Sequence, residues 1–78
     1  MALGARVFEA AAAALGPIQA RPGQGSPRLG ALAGIPGLRS WRVEGFPLRW
    51  FYFEAGEFVD VVRLLGERQD IAAILSEE

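Results

Sequence analysis

Residues 37–71 read GLRSWRVEGFPLRWFYFEAGEFVDVVRLLGERQDI and decide the fold of this chain. The segment contains three runs rich in aromatic and β-branched residues, which favour strands. Gly45-Phe46-Pro47 separates the first two runs, and Ala55-Gly56-Glu57 separates the last two by a connection short enough for a hairpin. We therefore predict a three-stranded antiparallel meander, with strands at residues 38–44, 48–54 and 58–65.

The residues before this segment predict a helix and then a loop. Leu3, Val7, Ala10 and Ala14 recur at helical spacing, so a helix is predicted at residues 2–20 and is clearest up to residue 15. Gly16-Pro17 should interrupt it, because proline lacks a backbone N–H and clashes with the preceding turn. Residues 21–37 are dense in glycine and proline and are predicted to be a loop, with room for a single turn at residues 29–33.

A second, shorter helix is predicted after the strands, at residues 70–76. Asp70 is suited to cap it, and Ile71, Ile74 and Leu75 form its apolar stripe. The fold class is therefore α+β: one domain at residues 1–78, with the N-terminal helix packed on the meander and a short C-terminal helix. Because the third strand is apolar on both faces, the first helix should cover one face and something else the other.

Composition excludes several classes of function. The chain has 78 residues with neither cysteine nor histidine, so disulfides, thiolate metal sites and the commonest general base are all excluded. No metal and no cofactor are expected. The glycine-rich loop lacks the Gly-Lys-Ser/Thr ending of a phosphate-binding loop and does not lie between a strand and a helix. Residues 2–20 lack the basic region of a signal peptide and the apolar length of a membrane span, which predicts a cytoplasmic protein.

All eight basic residues are arginine, although the net charge is only −1. Arginine forks onto phosphate and stacks on bases, so one interpretation of this bias is contact with phosphate. Coding bias in a GC-rich genome is the other interpretation, because alanine, glycine and proline are also plentiful.

Four motifs resemble the RelE/ParE superfamily of type II toxins, and in particular its ParE-like plasmid-stabilisation branch. Residues 22–28, PGQGSPR, are similar to the family's PGxGxPR loop, and residues 37–41, GLRSW, are similar to its GLRSF strand start. Gly45-Phe46-Pro47 with Trp50-Phe51-Tyr52 resembles GFP…IFY. Residues 61–71 resemble VVRVLHGRRDI, with Gly66 and Glu67 in place of the histidine and glycine. The order and spacing of the four motifs make the resemblance specific.

The resemblance also implies a difference at the N-terminus. Family members begin with a strand and a first helix that precede the helix predicted here, and both are missing. The resemblance then implies a toxin shortened at its N-terminus, through a late or wrongly assigned start, or a minimal variant completed by a partner. Without the missing strand, the strand at residues 58–65 keeps an unpaired edge. We expect this edge to bind an antitoxin or a second copy of the chain.

Two activities are implied by the resemblance. ParE-like members bind and poison DNA gyrase, whereas RelE-like members cleave messenger RNA on the ribosome with arginine, lysine and tyrosine side chains. Arg49 and Arg68 match the RelE-type arginines, and Arg42 matches a lysine position. The tyrosine position corresponds to Ile74, so the proton-transfer group is absent and the sequence favours a non-enzymatic toxin.

The predicted activity surface is therefore Arg42, Arg49 and Arg68. The competing interpretation is that these arginines are solvated or pair with Glu44, Glu54 and Asp70. The predicted partner-binding residues are Trp50, Phe58, Val59, Val61, Arg63 and Leu65. Three hypotheses stay open from sequence: a gyrase-directed toxin neutralised by an antitoxin, a ribosome-dependent endoribonuclease, and an inactive truncated binding module.

Overall fold

A computed structural model describes residues 2–76 of the chain, with the side chains of the first two of these outside the description. Three strands form one antiparallel sheet in the order β1-β2-β3. Helices precede and follow it, so the predicted α+β class is confirmed. The elements in chain order are α1 (Ala2–Ala20), a 3-10 turn (Pro22–Gln24), α2 (Arg28–Leu32), β1 (Leu38–Arg42), β2 (Leu48–Ala55), β3 (Phe58–Gly66) and α3 (Ile71–Ser76).

Helix α1 continues through Pro17, so the predicted interruption at Gly16-Pro17 is wrong. A proline inside a helix loses one backbone hydrogen bond, at a cost of about 3 kcal/mol. Ile18 follows immediately and is fully buried, so packing of the last turn offsets that loss. The Pro17 carbonyl still accepts a bond from Arg21 N at 2.9 Å. Leu3, predicted on the inner face, lies outside the residues whose side chains are described.

One face of the sheet, the α1 face, packs against the first helix. Ala11 and Ala14 are buried there against Val43. Their small side chains let the helix approach closely enough for the Trp50 indole N–H to donate to the Ala11 carbonyl at 2.8 Å. Trp41, Phe46 and Leu48 complete this half of the core.

The opposite face, here called the arginine face, is covered by α2 and α3. Its buried cluster consists of Leu38, Phe51, Leu65, Ile71 and Leu75. Helix α2 lies within residues 21–37, which were predicted to be a loop with one turn, and the structure has two short helical segments there. On β3 these helices bury Leu65, but most of that strand stays exposed, so the predicted second cover of the third strand is only partly supplied by the described residues.

The strand ends differ slightly from the prediction. β1 ends at Arg42 rather than residue 44, because the chain turns at Gly45, whose φ is +85°. β2 extends to Ala55 and β3 to Gly66, each one residue further than predicted. The predicted cap of the last helix is present, since Asp70 Oδ1 accepts a bond from Ala73 N at 3.2 Å, and the helix itself begins at Ile71.

A β-bulge in β3 sets which side chains share a face. Ala55 pairs with Phe58 and Tyr52 with Val61, but Phe51 pairs with Arg63, so Val62 is the extra residue. Because side chains alternate along a strand, one inserted residue exchanges the faces of everything after it. The bulge therefore places Leu65 in the core of the arginine face and brings Glu67 opposite Pro47, to whose carbonyl its N–H donates at 2.8 Å.

Candidate functional site

Two of the predicted arginines meet at the end of the β1–β2 ladder. Arg42 and Arg49 are direct cross-strand partners, and their side chains lie on the arginine face. Like charges placed directly opposite each other destabilise an antiparallel pair. The sheet therefore needs an anion next to this pair.

Glu67 supplies that anion. Its Oε1 accepts a hydrogen bond from Arg42 Nε at 3.2 Å, and its Oε2 accepts one from Arg49 NH1 at 3.1 Å. Each carboxylate oxygen thus serves a different guanidinium. The bulge at Val62 is what brings this side chain to the arginine face.

Arg49 is held from a second direction by Ser40. The Arg49 Nε–H donates to the Ser40 hydroxyl at 3.0 Å, and Ser40 is only 1% exposed. Because the serine belongs to β1 and is buried, it fixes the guanidinium against the sheet. Arg42 has no such support and its side chain is 55% exposed.

The charge state of Glu67 follows from these contacts. Hydrogen bonds from Arg42 and then from Arg49 lower the pKa of the Glu67 carboxyl below its usual value. The carboxylate is therefore ionised at neutral pH, and the site has two cations bridged by one anion.

Two cavities flank the arginine pair. One, of about 330 Å³, lies towards α2 and α3, and the other, of about 360 Å³, lies towards the outer side of β1. Arg49 and Ser26 line both, so the guanidinium separates them. The first is also lined by Arg28, Leu29, Leu32, Glu67 and Ile71, and the second by Gln24, Gly25, Ser40, Trp41 and Arg42.

The structure does not bring Arg68 into this cluster. Arg68 is exposed in the turn after β3, where its side chain has no hydrogen bond or ion pair with any residue between 2 and 76. The predicted ion pairs with Glu44 and Asp70 are not formed, and Glu54 binds Arg39 at 3.2 Å instead. Glu67, the actual partner, was missed, although the cross-strand arginines could have indicated a nearby carboxylate.

Apart from Glu67, whose lowered pKa makes it a weak base, proton transfer at this site has no candidate group among the described residues. Tyr52, the single tyrosine of the chain, is fully buried and donates its hydroxyl to the Pro22 carbonyl at 2.6 Å. Burial raises the pKa of Tyr52 further from neutrality. Within residues 2–76, no group of three or more metal-ligating side chains comes together. The arginine pair can bind and orient an oxyanion, but it has no neighbour that titrates near pH 7.

The predicted partner-binding residues divide into exposed and buried ones. Phe58 is 75% exposed, and Val61 is 36% exposed on the same strand. Val59 and Arg63 are half-buried. Leu65 is only 6% exposed and packs in the core of the arginine face, so its assignment to a partner surface is wrong.

An apolar groove lies on the α1 face, which is also the face of Val61. It has a volume of about 400 Å³ and lies between α1 and β3, with Trp50 and Leu64 on its sheet side. Phe8 stands on the helix side and is 74% exposed. Trp50 is among the predicted partner-binding residues, whereas Phe8 and Leu64 are not.

None of the helices within residues 2–76 has the length and hydropathy to cross a membrane. Comparison with protein-family models, with curated proteins and with solved structures finds no match for this chain. The resemblance of the four motifs to the RelE/ParE superfamily therefore stays a prediction.

Proposed function

We propose that this chain is the toxin component of a type II toxin–antitoxin pair, which acts in the cytoplasm by binding a protein target and is neutralised by a cognate antitoxin. The target implied by the ParE-like motifs is DNA gyrase. The observation that carries the proposal is the apolar groove between α1 and β3, which coexists with an arginine pair whose titratable neighbour among the described residues is the already ionised Glu67.

The apolar surface supports protein binding on physical grounds. Val61 and Leu64 expose apolar area on the α1 face of β3, and Phe8 extends it across the groove, while Phe58 is exposed on the opposite face of the same strand. Exposed apolar side chains that lie together around a groove are typical of a protein-binding surface. Within the described residues β3 is paired on one side only, so backbone groups add to what a partner can bind.

The arginine pair also favours a binding activity over a catalytic one, because both of its guanidiniums already donate to Glu67. Arg49 already donates to Ser40 and Glu67, and Arg42 donates to Glu67. A phosphodiester would have to displace the Glu67 carboxylate, which would then be the one candidate base among the described residues at the site, with no acid beside it to protonate the leaving group. A toxin that acts by binding its target needs no proton-transfer group at this site.

A ribosome-dependent endoribonuclease is the second candidate, favoured by the Arg42–Arg49 pair itself. Two guanidiniums beside two cavities could hold a phosphodiester and stabilise charge on it. An inactive binding module is the remaining alternative, which uses the β3 edge and has no toxic activity.

Induced expression with paired variants separates these candidates. The measurements are growth after induction, supercoiling by purified gyrase, and cleavage of messenger RNA on ribosomes. The gyrase-directed toxin should slow growth and inhibit supercoiling, Val61→Glu should abolish both, and Arg49→Gln should leave both intact. The reverse pattern, with cleavage lost in Arg49→Gln, would establish the nuclease. Normal growth with unaffected gyrase and intact messenger RNA would leave only the binding module.

A further inference from the structure

The arginine pair holds an oxyanion that belongs to the chain itself. Glu67 lies in the turn after β3, and its half-buried carboxylate presents one oxygen to each guanidinium. The two arginines are thereby held at a spacing that fits a planar, two-oxygen anion. Because the bound anion is a side chain on a turn, another carboxylate of the same shape can take its place.

The charge around this position is not balanced. Arg28, Arg42 and Arg49 line the two cavities, and Glu67 is the acidic residue among the lining side chains, so three positive charges and one negative leave an excess of two. Arg28 is exposed at the start of α2 and lines the first cavity. An additional negative group is therefore favoured there.

Apolar side chains stand directly beside these charges. Leu29, Leu32 and Ile71 line the same 330 Å³ cavity as Arg28 and Glu67. Leu32 is 66% exposed, so a bound side chain can contact it. The site thus offers a cationic fork and an apolar depression next to each other.

The geometry points to a docking site for an acidic–apolar segment of a protein partner. An Asp or Glu side chain of the segment takes the place of Glu67 between Arg42 and Arg49, and a neighbouring apolar side chain enters the cavity against Leu29 and Leu32. Glu67 is the intramolecular competitor that occupies the arginines when the partner is absent. This site goes beyond the proposed function, because it lies on the opposite face from the β3 groove and does not depend on toxicity.

Two observations favour a protein segment over a nucleic acid. The apolar side chains that line the 330 Å³ cavity, Leu29, Leu32 and Ile71, are aliphatic. Single-stranded nucleic acids instead stack their bases on aromatic side chains. Trp41 is the one aromatic residue among the side chains that line the two cavities. The net charge of −1 also gives no long-range attraction for a polyanion.

Fluorescence polarisation with a labelled, end-blocked peptide tests this inference. The probe has a Leu-Glu-Leu core, and its control has Leu-Gln-Leu. The proteins are wild type, E67Q, R49Q and E54Q, where Glu54 is a matched control because it pairs with Arg39 on the other face. Removing the competing carboxylate should tighten binding of the acidic peptide about tenfold, since one charge-assisted hydrogen-bond pair is at stake. R49Q should lose binding, and E54Q should equal wild type.

Three results would overturn the inference. One is equal affinity of wild type and E67Q for the acidic peptide, and another is equal affinity of E67Q for the two peptides. The third is tighter binding of a labelled oligouridylate than of the peptide, which would assign the site to phosphodiesters. If E67Q fails to show cooperative unfolding, the test uses binding of the acidic peptide to the wild-type protein at millimolar peptide concentration. This binding should be lost in R49Q and kept in E54Q.

Discussion

The negative charge of Glu67 offsets the positive charges of two arginines on the neighbouring strands. The cross-strand pair of Arg42 and Arg49 would repel without it, and both hydrogen bonds to Glu67 favour its ionised form. A carboxyl whose pKa is lower in the folded state stabilises that state above its unfolded pKa, and this stabilisation is lost as the pH falls through the folded value.

Glu67→Gln should therefore lower the melting temperature at pH 7, and the difference from wild type should shrink as the pH falls below about 4.3. Thermal unfolding followed by circular dichroism at pH 7, 5 and 3 measures this. Glu57→Gln, in the exposed turn between β2 and β3, is the control and should show no such trend. A wild-type advantage that is the same at pH 3 and pH 7 would mean that the ion pairs contribute nothing.

Tyr52 is the second residue whose contacts predict a measurable effect. Its hydroxyl reaches the Pro22 carbonyl at 2.6 Å and ties the segment after α1 to the middle strand. Tyr52→Phe leaves this carbonyl without its donor, and the free energy of unfolding should fall by about 1 kcal/mol. Urea denaturation measures it, and an unchanged midpoint would show that water replaces the hydroxyl at no cost.

At the scale of elements, the sequence was sufficient to predict the helices and strands that have a regular apolar repeat. The strands alternate and are bounded by Gly45-Phe46-Pro47 and by a tight hairpin, so the meander was predicted to within two residues. Helix α1 has a clear apolar repeat, and only its passage through Pro17 was unexpected. Both kinds of signal are local, and a single sequence records them well.

Helix α2 could not be predicted in this way because it has only five residues and no repeat. Packing on β1 holds it in place, where Gly30 lies against the backbone of Leu38. The candidate site likewise depends on tertiary packing that the sequence does not show. Arg42 and Arg49 were predicted together, but Glu67 reaches them only because the bulge at Val62 exchanges the faces of the residues after it. Nothing in the sequence of β3 marks the bulge.

Two glycines in helices should respond in opposite directions to the same substitution. In Gly30→Ala the added methyl group would lie 2.8 Å from Leu38 Cβ and closer still to the Leu38 carbonyl oxygen, so we expect a loss of about 1–3 kcal/mol. Gly16 in α1 has open space around it, and Gly16→Ala should stabilise by about 0.5–1 kcal/mol. Chemical denaturation of both variants compares them. Equal effects would contradict the close packing of α2 on β1.

At the scale of the whole molecule, the two edges of the sheet differ in how far the chain covers them. The outer side of β1 is covered at Ser40, which exchanges two backbone hydrogen bonds with Ser26 at 2.8 and 2.9 Å. β3 ends the sheet on the other side within the described residues, and it exposes Phe58 and Val61. Because β3 is paired with β2 on its inner side only, its outer edge is where a further strand can be added.

We expect the isolated chain to associate with itself through the part of β3 that precedes the bulge, because a bulge bends the strand and limits regular pairing beyond it. Sedimentation velocity over a range of concentrations should show a mass that rises above 8.4 kDa. Val61→Lys should keep the chain monomeric while changing its stability by less than about 0.5 kcal/mol, as for exposed sites in general. Ala31→Lys, at an exposed position of α2, is the matched control and should associate like wild type. A wild-type chain that stays monomeric at every concentration would contradict pairing between copies and leave the β3 edge to a different protein.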